Sequence, residues 1–414
     1  MGRPRIIDNI FRGDAKVGRF LSVLILYGIA YGLNRGVQDN YLAGIINIAP
    51  FERGIVEFFR EMPGLLLIFI LALMFRFSDS KVFRTGIAFM TGGIAGIFIT
   101  SSVSFLMTKV IVVFFMVLFS TGEHIMMPIR STIAMDMSKS EKTGAALGIN
   151  TSIIQLGNIV GFILVTVIFL IIEKMGFNRR DILGYRIVFG VATALMITAS
   201  MTAASLSETK LKTPRQRLYF AKKFYKYYML EVFYGSRKQI FLTFAPYVLI
   251  IQYGADPSVI SVLFAISAVF VMFCGPLIGK LIDKVGYKAV MVGDTLILIA
   301  VCIMYGFSHK IFTPGIAFII VSCNFVLDQI ISVASMASNV YVKRICSNRE
   351  EVTATLSTGI SVNHIISVAI ALLGGLIWKL AGIEVLFTIS AILGLINSIY
   401  AATISKAEEY KEYR

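Results

Sequence analysis

Ten ionisable side chains fall inside long apolar stretches of this sequence, where a bare charge is costly. Five are acidic and five are basic: Arg35, Asp39, Glu57, Arg60, Glu61, Glu123, Arg130, Arg237, Lys238 and Asp328. A charge at the centre of a bilayer costs about 2.5–3.5 kcal/mol on insertion scales, so an embedded charge indicates a function or a buried partner. The set is neutral as a whole, and we therefore expect many of its members to pair with one another.

Three of these charges share one face of a helix. Glu57, Arg60 and Glu61 are spaced at i, i+3 and i+4, which places them side by side. Only a short turn precedes this helix, so the helix before it runs antiparallel and brings Asp39 level with Arg60, and Arg35 within reach of Glu61. We expect the ion pairs Asp39–Arg60 and Arg35–Glu61, which either tie the two helices together or belong to a functional site. This pairing leaves Glu57 as the odd carboxylate and as a candidate proton carrier.

A second set consists of buried groups that can gain and lose a proton. Glu123 and His124 are neighbours near the centre of one apolar stretch, but successive helical side chains point about 100° apart, so they cannot both face one cavity. The predicted proton-coupling residues are Glu57, Glu61, Glu123, His124, Asp328 and His364. The alternative for each histidine is an ordinary buried residue held by hydrogen bonds.

A third set is basic. Arg35 and Arg237 occupy nearly equivalent places in the two halves of the chain, and Lys238 follows the second of them. Two guanidinium groups at one cavity favour a phosphate or a carboxylate, because each planar group can bind two oxygens. The predicted substrate-binding residues are Asn34, Arg35, Glu123, Arg237, Lys238 and Gln239. The alternative is that Glu61 neutralises Arg35 and that Arg237 extends to the membrane surface.

The elements that must position these residues are transmembrane helices. The chain has 414 residues, of which 57% are hydrophobic and 15% charged, whereas soluble domains are about 45–50% apolar and about a quarter charged. This composition excludes a disordered, collagen-like or disulfide-stapled protein and predicts an all-α membrane protein. Twelve segments have the length that a spanning helix needs: 20–48, 53–77, 85–105, 110–135, 145–171, 185–206, 228–253, 257–282, 289–306, 314–342, 354–378 and 385–405.

Lysine and arginine predict the orientation of these helices. The net charge is +15, and with a cytoplasmic N-terminus about 26 basic residues fall on the cytoplasmic side against about eight outside. We therefore predict a multi-pass protein of the cytoplasmic membrane, the cell inner membrane in a bacterium, with both termini cytoplasmic. This topology accounts for the positive charge, so nucleic acid is not expected as a partner. The four cysteines form no CxxC pair, and no metal site or disulfide is expected.

The sequence repeats itself at an interval of about 203 residues. Tyr31-Gly32 recurs as Tyr234-Gly235, and Asp79 recurs as Asp283. Such a duplication predicts two parallel copies of one helical unit, an arrangement in which transporters hold their substrate near the middle of the membrane. The predicted domains are a six-helix bundle over 1–206, a basic cytoplasmic linker over 207–227 and a second six-helix bundle over 228–414.

The turn after the eighth predicted helix carries a ten-residue motif. Residues 279–288 fit G-x-L-x-D-[RK]-x-G-[RK]-[RK] except at Tyr287, and the first half of the chain keeps Asp79 and Arg84 of the same motif. On these residues and on the duplication, the chain resembles the major facilitator superfamily. The resemblance implies twelve transmembrane helices in two six-helix bundles. It also implies a cytoplasmic gating latch, formed by Asp79, Arg84, Gly279, Asp283, Lys284, Gly286 and Lys288, for which the alternative is a plain charged turn.

The same resemblance implies a function. Members of this superfamily are secondary active transporters that work by alternating access, and in its organophosphate–phosphate exchangers one arginine from each of the helices corresponding to those of Arg35 and Arg237 grips an anionic group. We expect a proton-coupled carrier of a small organic solute, which can be anionic, with the lipid bilayer and a proton or counter-ion as further partners. We expect a monomer with no cofactor. The alternatives are a multidrug or lipid-like efflux transporter and a non-transporting membrane receptor.

Catalytic and nucleotide-binding motifs are missing from the sequence. It contains no G-x-x-x-x-G-K-[ST] loop to bind ATP, no HExxH and no GxSxG with partner residues. We therefore expect neither an enzyme nor a pump driven by ATP.

Overall fold

A computed structural model describes residues 5–12, 15–74, 76–101, 107–139, 142–179, 181–206, 220–347 and 349–404. Over these ranges the chain is helical apart from turns and one isolated β-bridge between Phe11 and Ser138. The helices are α1 (Arg5–Ile10), α2 (Ala15–Asn40), α3 (Pro50–Leu65), α4 (Leu67–Leu73), α5 (Asp79–Thr100), α6 (Thr108–Met137), α7 (Thr143–Lys174), α8 (Ile182–Ala204), α9 (Tyr225–Tyr253), α10 (Pro257–Val285), α11 (Tyr287–Ile311), α12 (Pro314–Ser332), α13 (Met336–Ile345) and α14 (Arg349–Ala402). The prediction of an all-helical membrane protein is confirmed.

Nine helical segments of the described chain are long and apolar enough to cross a membrane. A helix break, a polar composition and a merger of two helices account for the other predicted helices. The second is divided at Leu66 into α3 and α4, three residues after Pro63, which cannot donate a helical hydrogen bond. The seventh, α9, is not among the nine because its polar residues, including Arg237, Lys238 and Gln239, lower its mean hydropathy. The eleventh and twelfth run together in α14 and are separated only at Gly382, whose φ is +85°.

The chain divides into two compact units, each made of separate stretches of sequence. The first contains Met1–Asn47, Leu66–Arg215 and Asp256–Ala265, and the second contains Ile48–Leu65, Gln216–Ala255 and Ile266–Arg414. Helix α3 therefore belongs to the second unit, and α10 begins in the first unit and ends in the second. Of the predicted linker over 207–227, residues 207–219 lie outside the described part, and the domain boundaries at 206 and 228 stay a prediction.

Close backbone contacts hold the helices of each unit together. In the second unit, a Cβ added to Gly54 of α3 would lie 2.4 Å from the carbonyl oxygen of Ala371 in α14. In the first, a Cβ on Gly28 of α2 would lie 2.6 Å from the carbonyl oxygen of Ile154 in α7. Small residues at such places let two helices approach closely, which is the usual way to pack helices in a membrane.

The repeated Tyr-Gly pairs have the same role in both units. A Cβ on Gly32 would lie 2.3 Å from the carbonyl oxygen of Asn158 in α7, and a Cβ on Gly235 would lie 3.0 Å from the side-chain amide of Asn363 in α14. In each unit, the glycine of the repeat thus makes room for an asparagine of a neighbouring helix. This equivalence supports the duplication seen in the sequence.

Candidate substrate and ion-coupling site

Four charges on α3 form a continuous buried cluster. Arg53 Nη1 donates to Glu57 Oε2 at 2.8 Å, and Arg60 donates to Glu57 Oε2 through Nε at 2.9 Å and to Glu61 Oε1 through Nη2 at 2.6 Å. Glu57 is 0% exposed and Arg53 is 1% exposed. The expectation that Glu57 is an odd carboxylate is wrong, because Arg53, near the start of the helix, reaches it from one turn away. We call Arg53, Glu57, Arg60 and Glu61 the α3 charge cluster.

Side chains from α9 and α14 complete the hydrogen bonds of the α3 charge cluster. Gln239 Nε2 donates to Glu57 Oε1 at 3.1 Å and to Thr243 Oγ1 at 2.8 Å, while its own Oε1 is buried without a partner among the described residues. His364 Nδ1 lies 3.1 Å from Glu61 Oε2. The cluster is therefore anchored on two further helices of the second unit, and His364 is paired with an acid.

The ion pairs of α2 and α3 run along each helix. Arg35 Nη1 donates to Asp39 Oδ2 at 3.0 Å, four residues away, and the Arg35 guanidinium also lies 5.0 Å from the ring centre of Phe264. Arg60 likewise bonds to Glu57 and Glu61 of its own helix. Pairs at i, i+3 and i+4 form with little adjustment because these side chains are neighbours on a helix. The expected pairs Asp39–Arg60 and Arg35–Glu61 join residues of different units and stay a prediction.

A polar cavity of about 290 Å³ opens in the second unit beside the α3 charge cluster. Its lining includes Glu231, Tyr234 and Lys238 of α9, Ser338 of α13, and Asn363 and His364 of α14. His364 thus belongs to both features, since it faces the cavity and contacts Glu61. Small-molecule sites span about 300–1,000 Å³, so this cavity suits a small ligand.

Two opposite charges in this cavity are joined through one amide group. Glu231 accepts hydrogen bonds from Ser338 Oγ at 3.1 Å and from Asn363 Nδ2 at 3.3 Å, and Lys238 Nζ donates to Asn363 Oδ1 at 3.3 Å. Sequence reasoning missed Glu231 because it lies near the predicted start of its helix and was not counted as embedded. Its spacing of i, i+7 from Lys238, which places both on one helix face, is the signal that could have found it.

Arg237 and Asp328 lie away from the lining of this cavity. Arg237 Nη2 donates to Ser332 Oγ at 3.1 Å, and its guanidinium lies 5.4 Å from the ring centre of Tyr234. Asp328 is 3% exposed, and its Oδ1 has no hydrogen-bond partner among the described residues. Arg237 and Lys238 are adjacent in sequence and therefore point in different directions, so Lys238 alone of the two lines the cavity.

The candidates of the first unit are embedded in α2 and α6. Asn34 is buried, and its Oδ1 lacks a hydrogen-bond partner in the described chain. His124 Nδ1 lies 2.8 Å from the carbonyl oxygen of Ser120, one turn earlier, while Glu123 is half-buried. The imidazole of His124 is thus held against its own helix, and the roles of these residues stay predictions.

The second copy of the gating motif is ordered by its turn. Gly286 has φ +87°, a conformation that favours glycine, and it connects α10 to α11. Tyr287, where the motif departs from its pattern, is buried with its ring centre 5.5 Å from that of Tyr341. Lys288 Nζ donates to the carbonyl oxygen of Ile404 at 2.8 Å. Asp283 and Lys284 are exposed, and a Cβ on Gly279 would meet open space.

The first copy of the motif, although shorter, holds the buried acid. Asp79 is 2% exposed at the start of α5, where Ser78 caps the helix by accepting from the backbone N–H of Lys81. Arg84 donates to the carbonyl oxygen of Leu206 beyond the end of α8. These contacts tie α5 to α8 within the first unit, and a gating role for either copy stays a prediction.

Arg179, in the turn after α7, bridges two acids of the first unit. It donates to Glu173 and, through Nη1, to Asp256 Oδ2 at 2.8 Å. The hydrogen bond that Arg179 donates to Glu173, together with the neighbouring Asp256, raises the pKa of Arg179 above its usual value, so this side chain stays charged. Asp256 also accepts from the backbone N–H of Val259 at 3.0 Å and thereby caps α10.

Comparison with known proteins finds a family resemblance in the second half of the chain. Residues 227–412 match the family model described as Major Facilitator Superfamily. A comparison with curated proteins finds no match.

Solved structures of transporters share the fold over nearly the whole chain. The nucleoside transporter NupG is 12% identical with a TM-score of 0.71, covering 96% of this chain and 100% of its own. A D-xylose-proton symporter is 12% identical with a TM-score of 0.72, covering 97% of this chain and 100% of its own. A POT family transporter in complex with 5-aminolevulinic acid is 12% identical with a TM-score of 0.73, covering 97% of this chain and 99% of its own. At such identities the likeness is one of fold.

Proposed function

We propose that this chain is a member of the major facilitator superfamily and a secondary active transporter that carries a small organic solute across the cytoplasmic membrane by alternating access. The observation that carries this proposal is the polar cavity in the second unit, which adjoins the α3 charge cluster at His364. A membrane protein has little structural reason to keep an acid, a base and an imidazole around one hollow. A site that binds and releases a polar solute requires such groups.

The lining of the cavity favours a polar solute over an apolar one. Among its lining residues only Leu356 and Ile360 are aliphatic, and the rest carry hydroxyl, amide, imidazole or charged groups. Sites for drug-like molecules are lined mainly by hydrophobic and aromatic side chains. We therefore prefer a carrier of small polar solutes to a multidrug or lipid-like efflux transporter, and we propose that Lys238 holds an anionic group of the substrate.

We propose that a proton drives the transport and that Glu61 and His364 carry it. Their contact at 3.1 Å joins a carboxylate to an imidazole at the edge of the cavity, where a proton taken up by the pair would change the charge beside the substrate. Both chain termini lie in the cytoplasm in this proposal, and the chain works as a monomer. Asp328, Glu123 and His124 remain further candidates for proton uptake.

Flux measurements test this function directly. Purified full-length protein in proteoliposomes is expected to accumulate at least one labelled polar solute when an inward proton gradient is imposed, and to lose this accumulation when an ionophore collapses the gradient. The panel comprises carboxylates, phosphate esters, nucleosides, sugars and amino acids. Saturable binding with no solute movement under any gradient or exchange condition would identify a receptor and contradict the proposal.

A further inference from the structure

We propose that the cavity of the second unit recognises zwitterionic solutes, with Glu231 binding an ammonium group and Lys238 binding a carboxylate of the same molecule. This inference rests on the proposed transport function and names the class of substrate. It replaces a simple anion with a molecule that carries both charges. A primary ammonium group linked to a carboxylate by a short chain, as in an amino acid, has the required chemistry.

The first support is the placement of the two charges. Glu231 and Lys238 are separated by seven residues, two turns of α9, and both line the same cavity. Glu231 is 9% exposed, so its carboxylate is largely withdrawn from water yet reaches the cavity wall. The two charges therefore lie one above the other on one wall, with opposite signs at its two ends.

The second support is that Asn363 separates the two charges. Its amide donates to Glu231 and accepts from Lys238, both at 3.3 Å, so that a neutral group stands where a direct ion pair would form. In a direct ion pair, each of the two charges would already be bound to its strongest partner and would be less available to a ligand. With the amide between them, the ammonium of Lys238 has further N–H groups to donate, and the carboxylate of Glu231 can accept another donor.

The third support is that the position of Asn363 is fixed by its surroundings. Gly235 leaves the space in which this amide sits, since a Cβ there would lie 3.0 Å from Asn363 Nδ2 and 2.7 Å from Ile366 Cγ2. Ser338 and Tyr227 lie against the Glu231 carboxylate and orient it. The arrangement is thus built by α9, α13 and α14 together and does not depend on one mobile side chain.

The fourth support is charge balance. The neighbouring charges are already committed, because Glu61 lies against Arg60 and His364, and Arg237 bonds to Ser332. The cavity therefore offers one acid and one base. A simple anion would satisfy Lys238 and leave Glu231 buried without a counter-charge, which is unfavourable. A zwitterion satisfies both and adds no net charge.

Binding to a matched ligand series tests the inference. The probes are ω-amino acids from glycine to 6-aminohexanoate, together with the alkanoate and the alkylamine of each chain length. Thermal stabilisation of the purified full-length protein is the readout. At least one amino acid is expected to raise the Tm, while its alkanoate and alkylamine do not. Equal stabilisation by an alkanoate and its amino acid would overturn the zwitterion site and leave a simple anion site.

Substitutions then assign the two ends of the ligand. Glu231→Gln and Lys238→Met are each expected to weaken binding of the effective amino acid by about 10- to 100-fold, because each removes a charged hydrogen-bond partner. The matched control is Lys226→Met, which removes a lysine from the same helix outside the cavity, where it donates to the carbonyl oxygen of Thr403. Unchanged affinity in both test variants would contradict the proposal.

A charge exchange separates recognition from folding. The double variant Glu231→Lys/Lys238→Glu keeps one acid and one base on the same wall and is expected to bind the amino acid more tightly than either single charge-reversal variant. A merely structural role for the two residues gives no such recovery. If no amino acid binds but another solute is transported, this inference fails and the transport function stands. If an amino acid binds and is never moved across the proteoliposome membrane, the transport function fails and the binding site stands.

Discussion

Glu57 shows how a single buried carboxylate can organise a whole group of residues. It receives hydrogen bonds from Arg53, Arg60 and Gln239 while it is fully removed from water. A buried charge is tolerated only with such a complete set of partners. Glu57 therefore belongs to the framework that positions Glu61 and, through it, His364, and its own part in proton transfer stays a prediction.

We expect Glu57→Gln to lower the free energy of unfolding by about 3–5 kcal/mol, because the two arginines would lose their shared acid and remain buried. Thermal unfolding of the purified protein measures this effect. The control is Asp283→Asn, an exposed acid on α10, for which a change within about 0.5 kcal/mol is expected. Equal stability of the two variants would show that the α3 charge cluster contributes little to the free energy of unfolding.

We expect Glu61→Gln to abolish proton-driven accumulation while solute exchange at equal pH continues, because the amide cannot take up a proton beside His364. Transport in proteoliposomes, with and without a proton gradient, distinguishes the two activities. Glu384→Gln is the matched control, since Glu384 pairs with His309 and Lys310 away from the cavity. Full gradient-driven accumulation by Glu61→Gln would exclude this residue as the proton carrier.

The limits of sequence reasoning at this scale are clearest at helix ends. The charges in the middle of apolar stretches, such as Glu123 and Asp328, could be identified because their depth follows from counting residues. Arg53 and Glu231 could not, since they lie within one turn of a predicted boundary, where an error of a few residues decides whether a side chain is embedded. Both have their place fixed by contacts with other helices, which no count along the chain can supply.

Among the elements, α9 has the largest share of the candidate site. It provides Glu231, Tyr234 and Lys238 to the cavity and Gln239 to the α3 charge cluster. This polar content is also why α9 does not qualify as a spanning helix by composition alone. Its approach to α14 depends on Gly235, which the sequence had already singled out as part of a repeated pair.

We expect Gly235→Ala to impair both stability and ligand binding, because the added Cβ would displace Asn363 and Ile366. Overpacking of this kind costs about 1–3 kcal/mol. Thermal unfolding and the amino-acid binding assay both report the effect. Gly275→Ala on α10 is the control, since a Cβ there meets nothing within 4 Å and alanine favours a helix. A Gly235→Ala protein as stable as Gly275→Ala would contradict the predicted close packing.

Helix boundaries were predicted less well than helix identities. The second predicted helix, 53–77, breaks at Leu66, and the eleventh and twelfth meet at Gly382 with almost no loop. Proline and glycine mark both places in the sequence. Whether such a residue interrupts a helix or only bends it depends on its neighbours in space, and that information is not local.

On the scale of the whole molecule, apolar content and periodicity were sufficient to predict the fold class. Long hydrophobic segments leave few alternatives once they must satisfy their own backbone in a membrane. The distribution of lysine and arginine predicts an orientation, in which the turn between α2 and α3 lies outside the cell and the turn between α10 and α11 lies inside it. This orientation makes a direct prediction.

We expect a cysteine at Glu52 to react with a membrane-impermeant maleimide added to intact cells, and a cysteine at Lys284 to react only after the cells are opened. Both are introduced into a background without the four native cysteines. Reaction at Lys284 alone in intact cells would reverse the predicted topology. Reaction at both positions in intact cells would contradict the twelve-helix order, which requires an odd number of spans between them.

The interval that aligns the two Tyr-Gly pairs also aligns Arg35 with Lys238 and Gly28 with Glu231. The first unit thus keeps a cation at the position that matches Lys238 but has glycine at the position that matches Glu231. An acidic side chain has no room there, since a Cβ on Gly28 would lie 2.6 Å from the carbonyl oxygen of Ile154. If Glu231 binds the amino end of the solute as proposed, selectivity for that end can be altered in the second unit alone. A glutamate introduced at Gly28, to make the two units symmetric, would force α2 and α7 apart and would create no second binding site.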